Sequence, residues 1–173
     1  SHLSTFLFIV FSLRDPHLYF LNGRDLLASF FLDTGEDKPD SDIEYHGITD
    51  YDNYRTQQAE WLAEAVKSRE FQDASFRIVI AHMPPLPETD IWHGQAEVLD
   101  KFVPILNEAG ADVMLCGHLH EYFNNKPTDK VHFPVIDNSS NTVLKGVIKR
   151  DRLDIEIRDM SGGIVDTISI MAR

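Results

Sequence analysis

Two apolar runs that each end in histidine constrain the fold of this chain more than any other feature of its sequence. The first run, Phe76–Ala81, leads directly into His82, and the second, residues 112–116, leads into Gly117-His118-Leu119-His120. A helical pattern precedes each run, and strands that alternate with helices are typical of a parallel α/β sheet. Because ligands of such sheets gather outside the carboxyl ends of the strands, the sequence predicts that these imidazoles meet at one sheet edge.

Three imidazoles at one edge predict a metal site formed by His82, His118 and His120. Neutral imidazole is a common ligand of zinc, iron, manganese and nickel. Two histidines that lie two positions apart on a tight loop are poorly placed to grip one small ion, but they can reach two ions lying side by side. Gly117 is expected to let the backbone turn sharply there. Enzymes that attack phosphorus commonly use two metal ions side by side. The alternative is a β-rich module that binds a single ion through the same histidines.

Composition narrows the range of partners. The chain has 173 residues and a formal net charge of −12, which argues against nucleic acid or an anionic membrane as a partner, since both require basic patches. An anionic substrate would then depend on local cations, which metal ions would supply. The single cysteine, Cys116, excludes an internal disulfide, and its place in an apolar run predicts an inert buried thiol.

The start of the chain is almost wholly apolar from residue 3 to residue 13. This run is shorter than the roughly 20 residues that a membrane span needs, and it has neither the basic region nor the cleavage site of a signal peptide. We therefore predict a buried strand. Residues 6–11 have no obvious partner in the chain, so a homodimer through an exposed sheet edge or face is expected. The alternative is that the run adds a strand to its own sheet.

The remaining patterns predict one domain over residues 1–173. Residues 17–32 read as a hairpin with an Asn22-Gly23 turn, residues 33–44 as an acidic loop, and residues 54–68 as a helix. A second helix around residues 99–106 is expected to be kinked by Pro104 and to end at Gly110. Three strands should follow, at residues 143–148, 153–157 and 164–170.

These motifs resemble a known family. The stretches Ile-Val-Ile-Ala-His-Met-Pro-Pro and Asp-Val-Met-Leu-Cys-Gly-His-Leu-His-Glu-Tyr look like the last two motifs of calcineurin-like metallophosphoesterases. The hairpin that ends in Phe-Leu-Asp-Thr-Gly, the Gln58-x-x-Trp61-Leu62 helix and Tyr122 are most similar to the purple-acid-phosphatase-like branch. The similarity covers nearly the whole chain from about His17.

The resemblance implies an α/β fold, the C-terminal half of a four-layer α/β/β/α sandwich with a dinuclear metal centre. It would place His82 and His118 on one ion and His120 on the other, with manganese, iron or zinc as the ions. It implies a phosphoester substrate, and it places His93 in a loop that borders the substrate pocket in this family, as a substrate-binding residue. The branch favours an extracytoplasmic location, either periplasmic or secreted.

The sequence departs from the family pattern in its first half. Three motifs precede the two histidine motifs in the family, Asp-x-His, Gly-Asp-x-x-Asp and Gly-Asn-His-Asp/Glu. We expect all three to be missing from this chain. These motifs supply the bridging carboxylate, further metal ligands and a transition-state histidine. We therefore expect the isolated chain to bind its ions incompletely and to be inactive. The alternative to a phosphoesterase is a non-catalytic fragment or remnant with weak metal binding.

Overall fold

The computed structural model describes residues 4–5, 19–22, 27–86 and 91–173, and within them the chain forms two β-sheets and four α-helices. The strands of the first sheet are β2 (Tyr19–Asn22), β3 (Leu27–Leu32), β4 (Phe76–Ala81), β5 (Val113–Cys116), β6 (Phe123–Asn125) and β7 (Val135–Asp137). The helices are α1 (Tyr51–Ala65), α2 (Arg69–Asp73), α3 (His93–Lys101) and α4 (Val103–Ala109). The second sheet contains β1 (Ser4–Thr5), β8 (Thr142–Ile148), β9 (Arg152–Asp159) and β10 (Ile164–Met171).

The first sheet has the strand order β2-β3-β4-β5-β7-β6, and its four central strands run parallel. The register pairs Leu32 with Ala81, Ile80 with Leu115, and Cys116 with Asp137. The carboxyl ends of the four strands therefore lie at one edge of the sheet. This is the arrangement that the alternation of strand and helix patterns predicted.

The two faces of the first sheet bury different layers. Alternate residues of the strands, such as Phe30, Val79 and Met114, pack with the helices and share a core with Leu62 and Phe102. The residues between them face the second sheet, whose strands β8, β9 and β10 run antiparallel. That second core contains Leu27, Phe76, Ile78, Val113, Ile136, Leu153, Ile155 and Ile157. The result is a helix layer, a mixed sheet and an antiparallel sheet, which confirms the predicted α/β class.

Several element boundaries differ from the sequence prediction. Helix α1 begins and ends about three residues earlier than expected. The segment around Pro104 is two short helices rather than one kinked helix, because Pro104 lies in the first turn of α4, where its missing N–H is tolerated. Gly110 ends α4 with φ of 67°, as expected from a left-handed C-cap. The short elements β6, β7 and α2 were not predicted individually.

Some expectations fall on residues outside the described ranges. These are the apolar run 6–11, with its predicted dimer contact, and Gly23 of the hairpin turn; strands β2 and β3 on either side of that turn do pair antiparallel. In the part of the chain that the structure describes, no helix is both long enough and apolar enough to cross a membrane.

Replacing Ile155 with alanine tests the packing between the sheets. Ile155 is 2% exposed and lies in the core that joins β9 to the first sheet. We expect Ile155→Ala to lower the free energy of unfolding by about 2–5 kcal/mol through lost burial and a residual cavity. Val165→Ala on β10, where the side chain is 49% exposed, should change it by less than about 0.5 kcal/mol. Urea unfolding monitored by circular dichroism measures both, and equal effects would contradict the layer assignment.

Candidate metal centre

The structure brings His82 and His118 together at the carboxyl edge of the first sheet. His82 follows β4 and His118 follows β5 by one residue, and the Gly117 N–H donates to the His82 carbonyl at 3.2 Å. The two imidazole rings lie edge to face with centroids 4.9 Å apart. His118 Nδ1 is 3.1 Å from His82 Nε2. The pair is partly open to solvent, because His82 is exposed and His118 half-buried.

This arrangement fits a shared metal ion. Two nitrogens that each lie about 2.0–2.1 Å from one tetrahedral zinc ion are about 3.3–3.4 Å apart, close to the 3.1 Å between the two ring nitrogens. Burial lowers the pKa of His118, and the neighbouring His82 lowers it further. A lowered pKa favours the neutral imidazole, which is the form that binds metal.

His120 lies near the pair, but the three histidines do not bring three ring nitrogens close enough together to hold one ion. No choice of one ring nitrogen from each of the three histidines brings all three within 4.8 Å in the described structure. His120 nevertheless lies close enough to lower the pKa of His118 electrostatically. Its assignment to a second ion stays a prediction.

The turn in this loop is made by a residue other than the expected one. Gly117 does not have a positive φ, and a Cβ built there would meet its nearest atom, the Asn138 carbonyl oxygen, at 3.9 Å. The expectation that Gly117 provides a sharp turn or a close approach is therefore wrong. His120 instead adopts the left-handed conformation, with φ of 61°.

Asp137 holds the backbone of the loop that carries His118 and His120. The sequence analysis did not identify this residue. This fully buried residue ends β7, and its carboxylate accepts the backbone N–H groups of His118 at 3.1 Å and Leu119 at 3.2 Å. Burial raises the pKa of Asp137, while these two donors partly offset the rise. The sequence signal that could have identified Asp137 is an acidic residue at the end of the otherwise apolar strand Val135–Asp137.

The acidic loop that follows β3 reaches the same edge. The carboxylates of Asp37 and Glu36 lie near enough to His118 to act on its pKa, raising it against the effect of burial. The loop is fastened on both sides, since the Met83 N–H donates to Thr34 Oγ1 at 3.2 Å and the Gly94 N–H donates to the Asp37 carbonyl at 2.9 Å. It therefore adds negative charge beside the histidine pair.

His93, the predicted substrate-binding residue, belongs to a separate polar network. It begins α3, and its Nε2 lies 2.9 Å from Asp52 Oδ1. Arg55, whose side chain is fully buried, bridges the same Asp52 oxygen at 2.7 Å and Glu97 Oε2 at 2.6 Å. The sequence prediction gave this segment only as a helix and missed Arg55, although a polar residue on the buried face was visible three positions before Gln58.

Asp52, His93 and Glu97 form the one group in the described structure that offers three metal-ligating atoms within 4.8 Å of one another. Both carboxylates already have cationic partners, because Arg55 contacts each of them and Lys101 lies 2.6 Å from Glu97 Oε1. A guanidinium cannot be deprotonated in a protein, so an ion here would face a permanent positive charge. We therefore interpret the group as an ion network and not as a second metal site.

Comparison with known proteins identifies the family of the chain. The family model for calcineurin-like phosphoesterases matches residues 6–122, which include His82, His118 and His120. The chain belongs to the calcineurin-like phosphoesterase family. No curated protein matches the sequence significantly. The sequence Asp15-Pro16-His17 has the Asp-x-His pattern that was expected to be missing, but it lies outside the described residues.

Solved structures share the fold at low sequence identity. GAP50, the anchor in the inner membrane complex of Plasmodium, is 15% identical with a TM-score of 0.57, and the alignment covers 91% of this chain and 53% of that one. The purple acid phosphatase PPD1 from yellow lupin (Lupinus luteus) seeds is 14% identical with a TM-score of 0.54, and the alignment covers 95% of this chain and 34% of that one. The chain thus spans about half and about a third of these two proteins, and it has a metallophosphoesterase fold.

Removing the Asp137 carboxylate should loosen the histidine loop. We expect Asp137→Ala to lower the free energy of unfolding by about 1–3 kcal/mol, because two loop N–H groups lose their acceptor. Asp159→Ala is the matched control, since Asp159 also accepts backbone N–H groups, from Ser161 and Gly163, but in an exposed turn where water can replace it. Urea titrations compare the two variants. A loss at Asp137 no larger than that at Asp159 would contradict the supporting role.

Replacing Arg55 should leave two carboxylates without their buried partner. We expect Arg55→Met to lower the free energy of unfolding by about 1–3 kcal/mol, because the buried Thr34 carbonyl loses its donor. Asp52 and Glu97 are 36% and 16% exposed and keep contact with water. Lys67→Met is the control, because Lys67 forms an exposed pair with Glu64, and such pairs contribute about 0–1 kcal/mol. Chemical denaturation measures both, and a small effect at Arg55 would mean that solvent compensates the carboxylates.

Proposed function

We propose that this chain carries part of the active site of a metal-dependent hydrolase of phosphoric esters. The observation that supports this most is the 3.1 Å separation of His82 Nε2 and His118 Nδ1 at the carboxyl ends of adjacent parallel strands. The family of the chain adds the reaction class, because calcineurin-like proteins are phosphoesterases. The lowered pKa of His118 also suits a metal ligand.

The histidines take the roles that the family resemblance implies. His82 and His118 hold one ion and His120 holds the second, with manganese, iron or zinc as the ions. Once bound, two such ions would activate a water molecule and neutralise the charge on the phosphoryl group. The chain itself orients the ligands, since Asp137 holds the backbone of His118 and Leu119 in place.

His93 is the proposed contact to the phosphoester. It lies at the start of α3, directly before Gly94, whose N–H donates a hydrogen bond to the Asp37 carbonyl of the acidic loop. Its side chain is 37% exposed, so a ligand can reach it. The acidic residues nearby would repel a phosphate dianion, and bound metal ions would supply the compensating positive charge.

A non-catalytic protein with weak metal binding is the second candidate. It is favoured by one observation, that no carboxylate of the described residues completes a three-ligand group with His82 and His118 within 4.8 Å. A bridging carboxylate and further ligands normally complete a two-metal site. Since the chain spans only part of its structural relatives, the activity of a whole protein of this kind is a proposal.

Metal binding tests the histidine pair directly. We expect the chain to bind zinc or manganese, and His118→Ala to weaken that binding by at least about 100-fold, because even partners that merely orient ligands are worth 10–100-fold. His132→Ala is the control, since His132 is exposed and lies away from the motifs. Isothermal titration calorimetry with each metal gives the affinities. Equal affinities in both variants would exclude the proposed site.

Turnover then tests whether this chain forms a complete site by itself. With saturating metal, the chain should hydrolyse p-nitrophenyl phosphate slowly or not at all if it lacks the family's early ligands, and any activity should be lost in His118→Ala. Hydrolysis comparable to that of complete phosphoesterases, roughly 1–1000 turnovers per second, would instead mean that the chain forms a full site. Metal binding without measurable turnover is expected of an incomplete site under either candidate, so only turnover that His118→Ala abolishes would favour the phosphoesterase.

A further inference from the structure

The ion network around Arg55 connects three segments that surround the histidine pair. The Arg55 guanidinium donates to the carbonyls of Thr34 and Glu36 in the acidic loop, at 2.9 and 3.1 Å. The same group contacts Asp52 on its own helix and Glu97 on α3. One buried cation therefore fixes the acidic loop, helix α1 and the start of α3 relative to one another.

The start of α3 is packed tightly against the acidic loop and the segment after His82. A Cβ built on Gly94 would lie 2.6 Å from the Glu36 carbonyl oxygen and 2.7 Å from Met83 Cε, so only glycine fits without a shift of the backbone. This close contact places His93, one residue earlier, beside the loop whose Asp37 and Glu36 carboxylates act on His118. His93 is held near the metal-binding edge by backbone packing as well as by its side chain.

The contact with Asp52 determines which ring nitrogen of His93 carries a hydrogen. A carboxylate only accepts hydrogen bonds, and Asp52 Oδ1 lies 2.9 Å from His93 Nε2, so Nε2 must be the donor. Asp52 is itself kept ionised, because its hydrogen bond to His93 and the charges of His93 and Arg55 lower its pKa against the effect of burial. Among the described residues, His93 Nδ1 has no hydrogen-bond partner and is the nitrogen left for a ligand.

We propose that Asp52, held by Arg55, is a positioning residue that fixes His93 with its hydrogen on Nε2 and leaves Nδ1 for a phosphate oxygen of the substrate. This inference rests on the proposed phosphoesterase function and adds the residue that orients the substrate contact. Nδ1 donates to a phosphate oxygen when the ring is protonated, and it accepts from a protonated oxygen when the ring is neutral. Histidines that bind metal ions or act in catalysis commonly donate their second ring N–H to a carboxylate, which fixes the tautomer in this way.

The tautomer of His93 tests the proposal without any metal or turnover. In long-range proton–nitrogen correlation spectra of the ¹⁵N-labelled chain, we expect the Nε2–H form to dominate in the wild type and that preference to fall in Asp52→Asn. Glu97→Gln is the matched control, because it removes the other carboxylate of Arg55 while leaving the contact between Asp52 and His93. A wild-type His93 with its hydrogen mainly on Nδ1, or an unchanged tautomer in Asp52→Asn, would overturn the proposal. A wild-type spectrum with the hydrogen mainly on Nδ1 overturns the proposal even if Asp52→Asn fails to fold.

A phosphate titration tests the link to the site. In the zinc-loaded chain, inorganic phosphate should shift the His93 Nδ1 resonance, and Asp52→Asn should weaken the apparent phosphate affinity by about 10–100-fold, the usual effect of losing a group that orients a ligand. Glu97→Gln should keep the wild-type affinity. If zinc binds through His118 but phosphate leaves His93 unperturbed, this inference is wrong while the proposed function stands. If the chain binds neither zinc nor manganese, the proposed function fails, and the tautomer measurement still tests the role of Asp52.

Discussion

The parallel register of β3, β4, β5 and β7 is the constraint on which the rest of the structure depends. Each strand ends at the same edge of the first sheet, so the residues that follow each strand are brought together although they are far apart in sequence. These residues are the acidic loop after Leu32, His82, and the loop of His118 and His120. They meet Asp137, the last residue of β7. A shift of one strand by a single residue would turn every side chain on it to the opposite face, which would exchange the helix-facing and sheet-facing cores.

Two buried charged residues hold the loops at this edge in place through hydrogen bonds. Asp137 and Arg55 are both fully buried, and each is fastened to backbone groups of a loop that borders the histidine pair. Asp137 accepts N–H groups from the histidine loop, and Arg55 donates to carbonyls of the acidic loop. Because an unpaired buried charge is costly, each residue makes its loop conformation hard to change. Rigid loops of this kind keep ligand atoms in place before a metal ion or a substrate arrives.

The sequence was sufficient for the fold class, most strand positions and the meeting of His82 with His118, because these follow from local periodicity and from the parallel topology. It was not sufficient for the residues that act from a distance. Arg55 contacts Glu97 forty-two positions away and Asp137 contacts His118 nineteen positions away, and nothing in the pattern around either residue specifies those partners. At Gly117 the local pattern was misleading. A glycine beside two histidines suggested a sharp turn at the glycine, but the left-handed residue of this loop is His120.

The conformation of His120 has a consequence for how this loop can change over evolution. A residue other than glycine in the left-handed region carries backbone strain, of order 1–3 kcal/mol, and His120 does so with φ of 61°. Selection for stability alone would favour glycine or asparagine there, because both adopt this conformation more easily. Histidine at this position therefore makes the loop less stable than glycine or asparagine would. A lineage that lost the function of the loop would be expected to lose this side chain early.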